Sequence, residues 1–274
     1  MVALNTNKFF EKEEEEIVEK FLKQGYIIFP LNEINNLTIS QMRKSIFEFS
    51  KKNLSLPTDI LEDEFFNQTH KYINISQLND LKLKLMKLTT QDSVYHPGIY
   101  GLAKKYIDFI VGNELCMQRS LNLSIQLPQD INALLPLHTD VWSGNSPYEV
   151  VFWLPLVDCY KTKSMYALPI DKSSKVIENF ADYEKMDAET FYKSLEKDLI
   201  FLEVPRGHGV LFSHSIIHGN RINLEQETRW TFNIRFKSIL SPYGTKDLGE
   251  TFIPVTLRPM TRIGFHHKLP RTVV

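Results

Sequence analysis

The chain contains little cysteine and almost no net charge. Its 274 residues include two cysteines, Cys116 and Cys159, and the formal net charge is -1. Two cysteines this far apart in the sequence do not make a disulfide framework, which favours a reducing cytoplasm. A net charge so close to zero gives no strong field to attract nucleic acid or an anionic membrane, so we expect neither as a partner.

Long apolar runs are also missing. No stretch approaches the ~20 consecutive apolar residues that a membrane-spanning helix needs. The first eight residues lack the apolar segment of a secretion signal. We therefore expect a cytoplasmic protein. The hydrophobic fraction of 43% and the charged fraction of 24% are ordinary for a globular chain that buries a substantial core.

The first part of the chain has the apolar spacing of amphipathic helices. The pattern predicts helices over residues 8–24, 40–53 and 98–112, with a further helix near 79–87. Gly25 is expected to end the first helix, and Tyr26–Pro30 is predicted to be a short buried strand.

From Glu114 onward the pattern becomes that of strands. Residues 116–127 alternate between apolar and polar side chains, which predicts one strand. Its polar face carries amides and hydroxyls rather than charges, which favours a cavity lining over the alternative of a solvent-exposed face. Further strands are predicted at 149–156, 164–168, 200–204, 209–213 and 229–238, with a helical insertion near 171–198.

Together these segments predict an α+β fold with a mainly β core. Many short strands separated by turn signals are typical of a sandwich or barrel, and we expect a jelly roll with N-terminal supporting helices. The predicted organisation is a single domain over residues 1–274. Residues 1–113 would form the helical support and residues 114–274 the core.

The segment His138-Thr139-Asp140, together with the distant His218, is a candidate metal site. On a strand, residues two apart point to the same face, so His138 and Asp140 can approach one ion together. Two imidazoles and one carboxylate suit non-haem Fe(II), and three protein ligands also suit catalytic zinc, so ligand type alone does not decide the metal. An isolated His-x-Asp is also common as a simple hydrogen-bonding pair.

His214 is a rival for the third ligand, because it lies four residues before His218. The context favours His218, since a glycine turn and an apolar strand lead into His218-Gly219-Asn220. His214 is then expected to be a core residue or a neighbour of the ligands.

Arg229 follows His218 by eleven residues and begins a predicted strand. On that strand Arg229, Thr231, Asn233 and Arg235 share one face, opposite an apolar one. A guanidinium fork grips a carboxylate bidentately, so this face is a plausible pocket for a dicarboxylate. For Arg235 a surface ion pair is an equally good interpretation.

These features together resemble the 2-oxoglutarate/Fe(II) dioxygenases of the phytanoyl-CoA dioxygenase-like group. The resemblance includes the strand that follows Gly25, the His-x-Asp, the later His-Gly, and the arginine eleven residues after it. Residues 122–128, 138–147 and 157–165 resemble more specifically the 2-oxoglutarate–Fe(II) oxygenases of bacterial sporadic carbohydrate gene clusters. The likeness covers the chain from about residue 114 onward and the helical front only loosely.

The resemblance implies a double-stranded β-helix (jelly-roll) core that uses Fe(II), 2-oxoglutarate and O2. It implies that His138, Asp140 and His218 are the catalytic metal ligands, that Arg229 holds the distal carboxylate of 2-oxoglutarate, and that Asn122 contacts this co-substrate. Halogenases of the group leave the position of Asp140 without a carboxylate. The chain therefore looks like a hydroxylase or a related oxidase.

The resemblance further implies a sugar, a nucleotide-sugar or a related small molecule as substrate, while a homodimer stays open. The loop after the metal motif offers candidates to line the substrate, and a later loop offers two lysines for a phosphate: Trp142, Ser143, Asn145, Tyr148, Lys161 and Lys163. Simple packing or a solvated loop explains each of them equally well. Two alternative functions are a zinc-dependent hydrolase and a non-catalytic jelly-roll carbohydrate-binding protein.

Overall fold

The computed structural model describes residues 9–31, 33–242 and 245–268. The helices in this part of the chain are α1 (Lys12–Gln24), α2 (Glu33–Asn53), α3 (Glu62–Gln68), α4 (Ile75–Gln91), α5 (Tyr95–Ile110), α6 (Ile170–Glu178), α7 (Ala188–Leu195) and α8 (Pro259–His266). The strands are β1 (Tyr26–Pro30), β2 (Leu115–Gln118), β3 (Asn122–Gln126), β4 (Leu135–His138), β5 (Glu149–Pro155), β6 (Tyr166–Ala167), β7 (Ile200–Phe201), β8 (His208–Ser213), β9 (His218–Asn220), β10 (Arg229–Ser238) and β11 (Phe252–Thr256).

The first helix ends where the sequence predicts but begins later. α1 starts at Lys12, and Lys8, where the predicted helix begins, lies outside the described residues. Gly25 ends the helix with a φ of 79°, a left-handed conformation that favours glycine. A Cβ added at Gly25 would lie 2.3 Å from Ile216 Cγ2, so close packing also requires glycine here. The predicted strand Tyr26–Pro30 is confirmed as β1.

The remaining front helices are longer than their apolar patterns indicate. α2 begins at Glu33 instead of residue 40, and α4 covers Ile75–Gln91 because Asn74 and Gln77 form a capping box at its start. α3 was not predicted; it is too short for a periodic pattern to stand out. No helix of the described residues combines the length and apolarity needed to span a membrane.

Two antiparallel sheets form the β part of the fold. The larger has seven strands in the order β1-β8-β5-β10-β2-β11, and β3 also pairs with β10. The smaller has four strands in the order β4-β9-β6-β7. The N-terminal region therefore contributes more than helical support, because β1 pairs with β8 along its whole length.

Strand β10 separates the core from the candidate site. Its apolar face is fully buried, and the Trp230 ring lies against Phe65 and Phe66 of α3, at centroid distances of 5.6 and 5.1 Å. Burying such large aromatic rings supplies much of the hydrophobic stabilisation that joins the helices to the sheet. The opposite face carries Arg229 and Arg235 toward the smaller sheet.

The prediction of one continuous strand over residues 116–127 is wrong. The structure divides it into β2 and β3, which pair with the same side of β10. Met117 pairs with Phe236 and Asn122 pairs with Asn233. The chain therefore advances five residues from β2 to β3 while the paired positions on β10 differ by three residues. The extra residues bulge out of the ladder around Arg119, a break that an alternation pattern does not reveal.

Candidate metal centre

Three elements bring the His-x-Asp pair and the distant histidine together. His138 is the last residue of β4 and pairs directly with His218, the first residue of β9. Asp140 begins a short 3-10 turn, Asp140–Ser143, capped by the Thr139 hydroxyl. One ligand atom from each of the three side chains lies within 4.8 Å of the other two. The predicted set is therefore assembled in space.

Both histidines are oriented by the backbone. The Nδ1–H of His138 donates to the carbonyl of Pro136 at 2.9 Å, and that of His218 donates to the carbonyl of Ile216 at 3.1 Å. We assign the proton to Nδ1 because a carbonyl oxygen can only accept. Each Nε2 then carries a free lone pair, the form in which imidazole binds a metal.

Burial and charge keep these ligands in their metal-binding protonation states. Burial lowers the pKa of His218 to about 4, and the neighbouring His138 acts in the same direction. Burial alone would raise the pKa of Asp140, but electrostatic interaction with the neighbouring histidines and Arg235 outweighs it and lowers that pKa. At neutral pH the site therefore offers the neutral imidazole of His218 and the ionised carboxylate of Asp140.

His214 is near the cluster but behind it. Its side chain is fully buried, with Nε2 3.6 Å from Asp140 Oδ2 and Nδ1 3.4 Å from Glu149 Oε2. Burial lowers its pKa to about 3. This placement matches the expectation that His214 neighbours the ligands.

A cavity of about 130 Å³ opens onto the cluster. Its polar lining comes from both sheets and the loop between them: Ser124, His138, Asp140, His218, Asn220, Arg229, Asn233 and Arg235. Its apolar lining consists of Leu135, Val151, Trp153, Met165 and Phe212. The polar face predicted for β10 is thus the wall of this cavity.

Arg229 lines the cavity and is 5% exposed, and we call its end of the cavity the closed end. Its Nη2 donates to the Ser124 hydroxyl at 3.4 Å, while its Nε has no hydrogen-bond partner among the described residues. The nearby polar atoms Thr231 Oγ1 and Asn233 Oδ1 also lack one. Burial lowers the pKa of Arg229 to about 10, which leaves it charged at neutral pH. A charged donor in this setting calls for an anionic ligand.

Asn122 lies on the same face of β3 as Ser124, opposite Asn233. Ser124, two residues further along β3, lines the cavity, whereas the described lining does not include Asn122. Its assignment as a co-substrate contact stays a prediction.

The substrate candidates divide into exposed and buried residues. Trp142 is 43% exposed and Tyr148 60% exposed, and the Trp142 ring lies 5.0 Å from that of Phe180 in the helical insertion. Lys163 is fully buried and paired with Glu227 Oε2 at 2.6 Å, which favours the packing alternative over a contact with a phosphate. A loop lysine turned inward to a carboxylate cannot be distinguished from a solvated one by sequence.

Arg235 is the site residue that sequence reasoning left undecided. Its Nη2 lies 3.2 Å from Asp140 Oδ1 and its Nη1 3.2 Å from Gln118 Oε1. It therefore pairs with a metal-ligand candidate inside the cavity instead of with a surface acid. The position of Arg235 on the same face of β10 as Arg229 is the sequence feature that points to the cavity. Its pairing with Asp140 depends on how the two sheets pack, which the sequence does not reveal.

No protein-family model matches the chain, and no curated protein matches it. Several solved structures do. SnoK, a non-heme alpha ketoglutarate dependent carbocyclase from nogalamycin biosynthesis, matches with a TM-score of 0.51 and 17% identity, over 93% of this chain and 100% of that one.

HygX from Streptomyces hygroscopicus, crystallised with nickel and 2-oxoglutarate, gives a TM-score of 0.51 and 12% identity, over 85% of this chain and 89% of that one. EctD from S. alaskensis, in its apoform, gives a TM-score of 0.54 and 13% identity, over 90% of this chain and 84% of that one. At these identities the likeness shows a shared fold, here an α+β fold with antiparallel sheets.

Proposed function

We propose that the chain is an oxygenase dependent on non-haem Fe(II) and 2-oxoglutarate, built as one jelly-roll domain over residues 1–274. The observation that carries this proposal is that His138, Asp140 and His218 share a single cavity with the buried Arg229. A metal-ligand set alone would fit several enzyme classes. The combination with a buried cation that has no carboxylate partner among the described residues favours an oxygenase that uses 2-oxoglutarate.

The residues present fit the metal. Two imidazoles with free Nε2 atoms and one ionised carboxylate form the donor set of non-haem Fe(II) enzymes, in which the remaining positions stay open for small ligands. The named solved structures support the same assignment: HygX was crystallised with nickel and 2-oxoglutarate on this fold.

The residues present also fit 2-oxoglutarate. Arg229 Nε and Thr231 Oγ1 are buried polar atoms without partners among the described residues, and the distal carboxylate of 2-oxoglutarate would satisfy them. We propose Arg229 as the residue that binds this carboxylate and keep Asn122 as a proposed further contact. The apolar side chains of Trp153, Met165 and Phe212 would shield the co-substrate from water.

When bound, Fe(II) and 2-oxoglutarate supply the oxidising chemistry, in which O2 is consumed and 2-oxoglutarate becomes succinate and CO2. The chain's own residues bind and orient. His138 and His218 present Nε2 because the backbone holds Nδ1, and Arg235 fixes one oxygen of Asp140. This fixed geometry brings the reacting groups together.

The proposed substrate is a sugar or sugar-derived small molecule, oxidised by hydroxylation or a related reaction. The partly exposed rings of Trp142 and Phe180, next to the turn that starts at Asp140, support this assignment because aromatic faces pack well on sugar rings. SnoK, described as a carbocyclase, supports a small-molecule substrate on this fold. Cytoplasmic location and a homodimer stay predictions.

Turnover tests the proposal directly. Protein loaded with Fe(II) should release succinate from 2-oxoglutarate only in the presence of O2, and sugars and nucleotide-sugars that bind should accelerate the release. His218→Ala should abolish it, whereas His214→Ala should retain part of it. Release that does not require O2, or that proceeds equally in His218→Ala, would contradict the proposal.

A further inference from the structure

The two arginines of the cavity differ in burial and in their partners. Arg229 and Arg235 are six residues apart on β10, which corresponds to about 20 Å along a strand. Arg229 is almost fully buried at the closed end, whereas the Arg235 side chain is 18% exposed and contacts Asp140. Co-substrate held by Arg229 therefore leaves Arg235 on the side from which a second molecule would enter.

A second cation, Lys246, accompanies Arg235. The Lys246 ammonium contacts Asn145 Oδ1, and Asn145 Nδ2 in turn donates to the carbonyl of Asp140 at 2.9 Å. Burial lowers the pKa of Lys246 and the positive charge of Arg235 lowers it further, while the more distant carboxylates of Glu149 and Asp140 act in the opposite direction. Two positive groups that repel each other are thus held beside the same metal ligand.

The charges at this end do not balance within the described residues. Asp140 is the one carboxylate there within 4.0 Å of Arg235, and none lies that close to Lys246. The two positive charges of a divalent metal would cancel the two negative charges of 2-oxoglutarate. Among the side chains, the negative charge of Glu149 lies opposite Lys237 on the neighbouring strand. The negative charge of Asp140 offsets that of a single arginine. Glu149 also acts on Lys246 and Arg235, so its charge is shared, and the group as a whole keeps an excess of two positive charges. Such an excess is costly for partly buried cations unless an anion arrives.

Arg235 retains unused hydrogen-bonding capacity. A guanidinium has five N–H donors, and Arg235 directs one to Asp140 and one to Gln118, while its buried Nε has no partner among the described residues. The guanidinium can therefore receive a further acceptor.

We propose that the substrate to be oxidised carries an anionic oxygen group, a carboxylate or a phosphate. Arg235 and Lys246 bind this group on the side of the metal centre away from Arg229. This inference rests on the proposed function and specifies its substrate class: an acidic or phosphorylated sugar in place of a neutral one. The shared chemistry of the two sources is an anionic group that a cation pair binds through charge-assisted hydrogen bonds.

Binding of matched sugars tests the inference without turnover. Calorimetry of anaerobic protein loaded with Fe(II) and 2-oxoglutarate would compare glucose, glucuronate and glucose 6-phosphate at constant ionic strength. We expect at least one anionic sugar to bind about tenfold or more tightly than glucose. Preference for glucuronate or for the phosphate would separate the two sources.

The decisive variants are at Lys246, because Arg235 also holds Asp140. Lys246→Met should remove most of the preference for the anion, Lys246→Arg should keep it, and Lys23→Met, at an exposed lysine in the last turn of α1, should leave it unchanged. Equal binding of all three sugars, or a preference that survives in Lys246→Met, overturns the inference. Failure of the wild type to bind 2-oxoglutarate would instead overturn the proposed function, so the two failures are distinguishable.

Discussion

The two ends of the cavity are built from different chemistry. At the closed end, Arg229 is a buried charge whose one hydrogen bond goes to the neutral Ser124, and no carboxylate of the described residues pairs with it. At the metal end, Asp140 is surrounded by His214, His218 and Arg235. At the closed end, the anion that would pair with Arg229 has to come from a bound ligand. At the metal end, the carboxylate of Asp140 is already in place before a metal binds.

The largest expected difference concerns two histidines at the metal end. His218→Ala should lower Fe(II) affinity by more than about 100-fold, because it removes a ligand. His214→Ala should lower it by no more than about tenfold, because His214 acts only through Asp140. Metal titration of the apoprotein measures both. Equal losses in the two variants would show that the cluster is wrongly assigned.

At the closed end, Arg229→Ala should weaken 2-oxoglutarate binding by about 100-fold, because it removes the buried partner of a carboxylate. Arg229→Lys should recover part of this loss, since it restores the charge without the fork. Fe(II) affinity in the absence of 2-oxoglutarate should not change. Isothermal titration with each ligand separates these effects, and loss of metal binding in Arg229→Ala would contradict the division between the two ends.

Arg235→Gln should weaken Fe(II) binding by about tenfold, the effect typical of a residue that orients a metal ligand. Glutamine can still donate to Asp140 but carries no charge, so the size of the loss reports how far charge matters beyond orientation. Arg221→Gln is a suitable control, because that arginine pairs with Glu189 outside the cavity lining. An effect as large in the control would point to a general change in stability.

A further expected effect concerns the stability of the apoprotein against pH. His214 and His218 have pKa values of about 3 and about 4, below the ordinary 6.5, so the unfolded chain takes up protons that the folded chain does not. The free energy of unfolding should fall as pH drops from 6.5 toward 4, by about 1.4 kcal/mol per pH unit for each histidine. Denaturant titrations at pH 7.5 and 5 measure this slope.

His214→Ala should reduce that slope, whereas a substitution of the exposed His267 should leave it unchanged. A slope that is the same in both variants would show that the buried histidines do not govern the acid sensitivity.

The sequence predicts local features well wherever neighbours in the chain decide them. β1 and β10 have their predicted bounds, and Gly25 ends α1, because alternation and a glycine stop are local signals. The helices α6 and α7 lie in the segment for which a helical insertion is predicted. The His-x-Asp and the later histidine could be chosen from spacing and context.

Features set by distant contacts could not be predicted. The break between β2 and β3 depends on register against β10, and the burial of Lys163 depends on Glu227 across a loop. The pairing of Arg235 with Asp140 joins residues 95 apart in the chain. β11 and α8 left no clear pattern, since β11 contains a proline and α8 has no buried residue.

The central claim is that the cavity binds Fe(II) through three residues and 2-oxoglutarate through Arg229. Its most direct test is anaerobic addition of Fe(II) and then 2-oxoglutarate to the apoprotein, followed by the weak visible metal-to-ligand charge-transfer band. We predict the band in the wild type and in His214→Ala, its absence in His218→Ala and a weaker band in Arg229→Ala. Folded, iron-loaded wild type that shows no band would contradict the account.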